Sequence, residues 1–173
     1  MQHETHQRLG EIRASVGMEY GKILQKILAI SLLETKVESL VERSVQGIDL
    51  EMVIGGATCA FEVKTSEGNT IKLSRKDIEG LDRQVEAGNR AYIVVLTNGP
   101  LDDVIFARYH PGEIPAGKEL SSFFFRAYQE PALQQRIKST FPVVVDKYAQ
   151  TAVEGRQGGL DKILAQYAEW GRA

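Results

Sequence analysis

Two carboxylates and a lysine are predicted to share one face of a β-hairpin within residues 47–64. Two β-rich runs flank the pair Gly55-Gly56, and such a pair is a strong signal for a two-residue turn. A turn at that point places Asp49 directly opposite Glu62 in the antiparallel register. Lys64 follows two residues after Glu62, so it lies on the same face.

Opposed carboxylates at this position point to a cation. Directly opposed residues have Cβ atoms about 4.5–5.5 Å apart, and like charges there are destabilising unless a positive charge lies between them. Magnesium prefers oxygen ligands and commonly takes one or two carboxylates, completing its shell with water and substrate phosphate. Asp49, Glu62 and the backbone carbonyl of Val63 are the candidate ligands, while Lys64 could orient a water and offset phosphate charge. The pattern indicates metal-assisted phosphodiester hydrolysis. The alternative is a set of ordinary polar residues on a solvent-facing sheet.

The opposite face of the hairpin supports the same register. Side chains alternate along a strand, and the residues on that face are all apolar, which predicts that it faces the core. A slip of one residue would bury Asp49 or Glu62 instead. The apolar set comprises Ile48, Leu50, Met52, Ile54, Ala57, Cys59, Phe61 and Val63.

A helix is predicted over residues 12–33, with an apolar stripe at helical spacing. Glu19 lies one turn before Ile23, near the edge of that stripe. If the helix faces the hairpin, Glu19 could hold the metal through water or bind a second ion. An equally good interpretation is a helix residue at the boundary of the core.

The remaining elements are predicted from apolar runs and from the turn and capping residues that bound them. A weaker strand falls in 36–46, a polar loop in 65–69 and a strand in 91–96, and residues 74–77 read as a capping box that opens a helix ended by Gly88. The strand in 91–96 completes a βαβ crossover in which Phe61 and Tyr92 belong to parallel strands. Residues 98–100 are predicted to form a turn, followed by an edge strand over 104–109 and a loop over 111–118. From Leu120 the pattern is helical, with breaks at Pro131, Pro142 and Gly158-Gly159.

Basic residues cluster at the start of the second helix. Lys72, Arg75 and Lys76 lie where backbone N–H groups also favour phosphate, so they are candidate DNA contacts. The alternative is ordinary surface charge. The apolar stripe of the last helix, within 160–167, must cover either its own domain or a partner subunit.

Composition limits the class of protein. The 173 residues are 43% hydrophobic and 25% charged, which fits one globular domain with a core. A formal net charge of −2 argues against a surface that is basic throughout, so any nucleic-acid site is a local patch. The single cysteine, Cys59, excludes a disulfide framework, and no apolar run reaches the length of a membrane span. A cytoplasmic protein without a membrane partner is expected.

The order of these residues resembles the PD-(D/E)XK nuclease superfamily. Asp49 and then Glu62-Val63-Lys64 on a hairpin, with Glu19 on an upstream helix, match its motif, and residues 17–96 are most similar to the archaeal Holliday junction resolvases and related restriction-type endonucleases. Two positions depart from the family pattern. The motif's proline is replaced in Gly47-Ile48, and Gly88 stands where the exonuclease branch has a tyrosine four residues after Gln84.

The resemblance implies a restriction endonuclease-like αβββαβ core, a central mixed sheet flanked by helices, magnesium (or manganese) as cofactor, DNA as substrate and a homodimer. Asp49 and Glu62 would be metal ligands, Lys64 the catalytic lysine and Glu19 the helical acid beside the metal site. We assign residues 1–118 to this core and 119–173 to a C-terminal helical extension that packs on it or forms a dimer contact. The alternative functions are a non-catalytic DNA-binding or assembly module with the same fold, and a nuclease that acts on RNA.

Overall fold

The computed structural model describes residues 3–43, 47–66, 68–96 and 104–172. Its helices are α1 (His3–Val16), α2 (Tyr20–Leu33), α3 (Arg75–Glu86), α4 (Ser122–Arg126), α5 (Pro131–Ile137) and α6 (Thr140–Leu164). Its strands are β1 (Ser39–Glu42), β2 (Leu50–Ile54), β3 (Ala57–Thr65), β4 (Thr70–Lys72), β5 (Arg90–Leu96), β6 (Ile105–Arg108), β7 (Glu119–Ser121) and β8 (Trp170–Arg172). No helix of the described ranges is both long enough and apolar enough to cross a bilayer.

Six strands form a mixed sheet in the order β6-β5-β3-β2-β1-β8. Strands β1, β2 and β3 form an antiparallel meander, β3 and β5 are parallel, and β6 is antiparallel to β5. Phe61 and Tyr92 are paired across β3 and β5, so the predicted βαβ crossover is confirmed. Strand β6 lies at the sheet edge as predicted, and its backbone is covered by residues 128–130. There Arg108 N–H donates to the Tyr128 carbonyl, and Glu130 N–H donates to that of Phe106.

Both faces of the sheet are buried, each under its own apolar layer. Helices α1, α2 and α6 cover one face, where Leu50, Phe61 and Tyr92 are buried. Helix α3 and the segment around β4 and α4 cover the other, where Ala60 and Ile93 are buried. Because β5 is buried on both sides, its sequence is a continuous apolar run without polar alternation.

The predicted hairpin register is confirmed from the turn to the end of β2. Ile54 pairs with Ala57, and the ladder runs unbroken to the pair of Leu50 and Phe61. Ile48 departs from the prediction, because it is buried in the layer that contains α3 and not with Leu50. The second layer also covers the face that carries Glu62, so this carboxylate is buried although the register is the predicted one.

The first helix differs from the prediction. The expected helix over residues 12–33 is two helices, α1 and α2, joined by a 3-10 turn over Gly17–Glu19. Gly17 has a φ of 57°, a left-handed conformation that glycine adopts without steric cost and that interrupts a right-handed helix. The break lies two residues before Glu19.

The helix α3 begins as predicted. The Ser74 side chain accepts a hydrogen bond from the Asp77 N–H, and the Asp77 side chain accepts one from the Ser74 N–H, which completes the capping box. Gly88, with a φ of 83°, follows the end of the helix in the expected left-handed conformation.

The C-terminal third contains the expected helices and, in addition, two short strands that the sequence analysis missed. Strand β7 pairs with β4, which lies between the loop predicted over 65–69 and the start of α3 and was not predicted either, and β8 extends the main sheet beside β1. Pro131 opens α5 as predicted. Pro142 does not break a helix, because it lies in the first turn of α6, where its missing N–H has no helical partner. The irregularity expected at Gly158-Gly159 lies at Arg156 (φ 53°). The turn predicted over 98–100 falls outside the described residues.

Gly47 holds the segment before β2 close to α3. Its φ is 73°, and a Cβ atom there would lie 2.9 Å from the Lys76 carbonyl oxygen. This position thus favours glycine for two reasons: the backbone has a left-handed conformation, and a side chain would clash with the Lys76 carbonyl. Next to it, the Ile48 side chain is buried in the core.

We predict that Gly47→Ala lowers the free energy of unfolding by about 2–4 kcal/mol, measured by urea denaturation. Gly112→Ala is the matched control, because Gly112 has a φ of 82° and a Cβ atom there would have no other atom within 4 Å. It should lose only the conformational part, about 1 kcal/mol. Equal losses in the two variants would show that contact with Lys76 is unimportant.

Candidate active site

Asp49 lies just before β2, at the end of the hairpin opposite the turn. Its N–H donates to the Phe61 carbonyl, and its carboxylate accepts a hydrogen bond from the Val63 N–H at 2.9 Å. The ladder ends one pair before Asp49 and Glu62, and beyond it the Asp49 side chain is hydrogen-bonded to the backbone of β3 at Val63. The second carboxylate oxygen of Asp49 is 3.1 Å from the Lys22 ammonium group.

Glu62 is a buried acid beside a second acid. Only 5% of the residue is exposed, because β3 is central in the sheet and both faces are covered. Burial and the nearby charge of Asp49 raise the pKa of Glu62 to about 8, although Lys64 opposes the shift. Without a further cation, this carboxyl group therefore keeps its proton to a higher pH than an ordinary glutamate does.

Lys64 stands between two carboxylates. Its ammonium group is 2.8 Å from a Glu62 oxygen and 2.8 Å from an Asp77 oxygen. Burial alone would lower the pKa of Lys64, but the hydrogen bonds to Asp77 and Glu62 outweigh it and raise the pKa above its usual value. The lysine is thus charged and fixed between β3 and α3.

Asp77 belongs to the site through its contact with Lys64, although its sequence pattern indicates only a helix cap. Burial would raise the pKa of Asp77, but the hydrogen bonds from Lys64 and at Ser74 lower it overall. The sequence contained a usable signal. A βαβ unit brings the end of β3 near the start of α3, so an acid in the first turn of the helix can reach a lysine near the end of the strand.

A polar row on α2 was also missed. Lys22, Gln25 and Lys26 have helical i, i+3, i+4 spacing, and two of them, Gln25 and Lys26, are buried within an otherwise apolar stretch. Lys22 contacts both Asp49 and Gln25, and Lys26 forms ion pairs with Glu42 on β1 and with Asp161 on α6. Buried polar residues that interrupt an apolar stripe were the signal for this network.

Glu19 is directed to the C-terminal helix. Its carboxylate accepts a hydrogen bond from Gln157 at 3.2 Å and lies 3.6 Å from the Arg156 guanidinium. Within the described ranges, no group of three or more Asp, Glu, His and Cys side chains is placed to hold a metal ion. The structure therefore brings Asp49, Glu62 and Lys64 together, whereas the Glu19 carboxylate makes its contacts with Gln157 and Arg156 of α6.

The remaining donors suit a hard divalent cation. Asp49 and Glu62 offer only oxygen atoms, and the buried Glu62 is a carboxyl group that a cation would return to its charged form. Val63, whose backbone carbonyl is the third candidate ligand, lies between Glu62 and Lys64. The backbone N–H of Val63 donates a hydrogen bond to the Asp49 carboxylate. Two carboxylates with water and phosphate form a normal magnesium shell, so the residues present fit that ion.

The three basic residues lie in exposed positions around the start of α3. Lys72 ends β4, opposite Glu119 of β7, and Lys76 precedes Asp77 in the first turn of the helix. Arg75 is highly exposed and pairs with Glu79 one turn later. Since Asp77 contacts Lys64, this cationic edge borders the site.

The buried Glu62 predicts an unusual pH dependence of stability. Its pKa is about 8 in the folded protein against 4.5 ordinarily, so the folded state retains a proton that the unfolded state loses in this range. The free energy of unfolding should therefore fall as pH rises from 6 to 8.5, by on the order of 1–3 kcal/mol. Lys64 and Asp77 titrate outside this window, given the directions of their shifts.

Urea unfolding in the presence of EDTA at the two pH values measures this change. Glu62→Gln keeps the shape of the side chain and cannot lose a proton, so its stability should vary less between pH 6 and 8.5. The same decrease in the variant and the wild type would assign the effect to other groups.

A solved structure with a similar fold is that of Hjc, a Holliday junction resolvase from the archaeal hyperthermophile Archaeoglobus fulgidus. The match has a TM-score of 0.51 at 14% sequence identity, and it covers 66% of this chain and 95% of that chain. No protein-family model matches the sequence, and no curated protein matches it significantly. At this identity the likeness concerns the fold. It confirms the expected architecture, a restriction endonuclease-like mixed sheet flanked by helices, with a C-terminal helix.

Proposed function

We propose that this protein is a magnesium-dependent endonuclease that hydrolyses DNA phosphodiester bonds, with branched DNA as the preferred substrate class. One observation carries the proposal. Asp49 and the buried Glu62 lie close enough for Asp49 to raise the pKa of Glu62, and Lys64 is 2.8 Å from Glu62. Two acids and a lysine gathered in this way are the groups that metal-assisted phosphodiester hydrolysis requires.

Each residue has a distinct role in this proposal. Asp49 and Glu62 would hold Mg²⁺ or Mn²⁺, and such an ion, when bound, lowers the pKa of a water molecule and polarises a phosphoryl oxygen. Asp49 is oriented by the Val63 N–H, which fixes one of its oxygens. Lys64 has three N–H donors, of which Glu62 and Asp77 engage two. The third donor would orient the attacking water or offset charge on the phosphate.

The DNA substrate is supported by charge and by fold. Lys72, Arg75 and Lys76 form a local cationic edge beside the site, on a chain whose net charge is −2. The archaeal protein of similar fold is a Holliday junction resolvase, so branched DNA is the first substrate to test. A four-way junction has two-fold symmetry, and two matched cuts need two sites, so we propose a homodimer.

The alternative is a non-catalytic DNA-binding module with this fold. It is favoured by Glu19, which is engaged by Arg156 and Gln157, and by Lys22, which occupies one oxygen of Asp49. Assays against linear, branched and single-stranded DNA and against RNA, with and without Mg²⁺, distinguish the two functions. Mg²⁺-dependent cleavage would support the nuclease, whereas binding of DNA without cleavage would support the non-catalytic module.

We predict that Asp49→Asn, Glu62→Gln and Lys64→Met each lower Mg²⁺-dependent cleavage by at least about 100-fold, because each removes a charge used at the reacting phosphate. Initial rates on a labelled four-way junction measure the effect. Glu51→Gln is the matched control, since Glu51 lies on the same hairpin and pairs with Arg43. Wild-type rates in Asp49→Asn would overturn the proposed activity.

Metal binding can be measured without activity. Mg²⁺ or Mn²⁺ should raise the melting temperature of the wild type, since an ion that binds the folded state stabilises it. Asp49→Asn and Glu62→Gln should lose this increase, whereas Glu51→Gln should retain it. An ion-induced increase that persists in both site variants would place the ion elsewhere.

The cationic edge predicts a specific salt dependence. Replacing Lys72, Arg75 and Lys76 by alanine should weaken DNA binding and reduce the slope of log K against log salt by up to about 0.9 for each phosphate that is no longer neutralised. Fluorescence anisotropy across a salt series measures the slope. Lys138→Ala, an exposed lysine at the end of α5, is the control. An unchanged slope in the triple variant would show that DNA binds elsewhere.

A further inference from the structure

The first turn of α3 delivers a buried carboxylate to the candidate catalytic lysine. Asp77 is 9% exposed, and one of its oxygens accepts hydrogen bonds from both Lys64 and the Ser74 N–H, each at 2.8 Å. We propose that Asp77 is a positioning residue, which holds the Lys64 ammonium group in place for the reaction. This inference rests on the proposed function.

A lysine needs such a partner because its side chain is long and flexible. Its stem has high rotamer entropy, and Lys64 is only partly buried. With Glu62 as its single partner, the ammonium group would be held from one side only. Asp77 supplies a second anchor from a different element, so the group is fixed between the strand and the helix.

Asp77 is itself rigidly held. The capping box ties its side chain and its N–H to Ser74. The helix dipole also favours a carboxylate in the first turn. One residue therefore starts the helix and aims the lysine, and the position of Lys64 depends on where α3 begins.

With Asp77 present, the Lys64 ammonium group is shared between two carboxylates. Without Asp77, the ammonium group would be free to pair with Glu62 alone, the carboxylate that the proposed function assigns to the metal. Loss of Asp77 should then reduce turnover while leaving the DNA-binding surface intact. This separates its role from that of Lys72 and Lys76.

The test uses variants that differ in charge but keep the cap. Glu and Gln are both favoured at this capping-box position, so Asp77→Glu and Asp77→Gln form a matched pair, with Asp77→Asn as a shorter neutral variant. Ser74→Ala is the control for loss of the cap. It removes the hydrogen bond from the Asp77 N–H to the Ser74 side chain, but it keeps the backbone N–H of residue 74 that holds the Asp77 carboxylate beside Lys64. The kcat and KM for a four-way junction are measured with saturating Mg²⁺, and folding is followed by circular dichroism.

We expect the neutral variants to lower kcat at least about tenfold with KM changed less than about threefold, and Asp77→Glu to recover most of the rate. Ser74→Ala should cut at a rate within about threefold of the wild type.

If Asp77→Asn does not fold, the comparison of Asp77→Gln with Asp77→Glu decides. Equal rates in that pair, or equal losses in Asp77→Gln and Ser74→Ala, would overturn the inference and leave the nuclease proposal standing. A wild-type protein that does not cut would overturn both.

Discussion

The crowding of negative charge at the end of the β2–β3 hairpin is the constraint on which the site depends. The meander and the βαβ crossover bring three acids together: Asp49, Glu62 and Asp77. Lys22 pairs with the first of them, and Lys64 pairs with the other two. The charge of Glu62 is the costliest of the three to bury, because this residue lies on a central strand with both faces covered. A site that is short of positive charge in this way is suited to a ligand that brings it.

Two elements support that arrangement from opposite sides of the sheet. Helix α3 supplies Asp77 and packs against Gly47, so it fixes both Lys64 and the segment that leads to Asp49. Helix α2 supplies Lys22, and its buried Lys26 links β1 to α6 through Glu42 and Asp161. The C-terminal helix is thereby joined through polar contacts to the layer behind the site, in addition to its apolar packing in the core.

The sequence predicted the hairpin and the crossover well because their signals are local. A glycine pair fixes the turn, a period of two fixes the register, and a capping box fixes the start of α3. The strands β4, β7 and β8 have three residues each and show no period to read; their pairing depends on partners distant in the chain. The direction of Glu19 was equally inaccessible, because it follows from a left-handed conformation at Gly17 and from contacts with Arg156 and Gln157. Burial of Glu62 depends on a second layer that the hairpin alone does not reveal.

The covered edge of the sheet has a consequence for self-association. Along β6, the backbone groups of Phe106 and Arg108 are bonded to residues 128–130, and Ala107 forms a bridge with Gln129. An unprotected edge strand can pair with another chain that continues the ladder, and here the Arg108 N–H and the Phe106 carbonyl are already bonded internally. A second copy would have to displace residues 128–130 to continue the sheet across β6, so pairing of two copies at that end would depend on side chains, which can be changed by mutation without disturbing the strand.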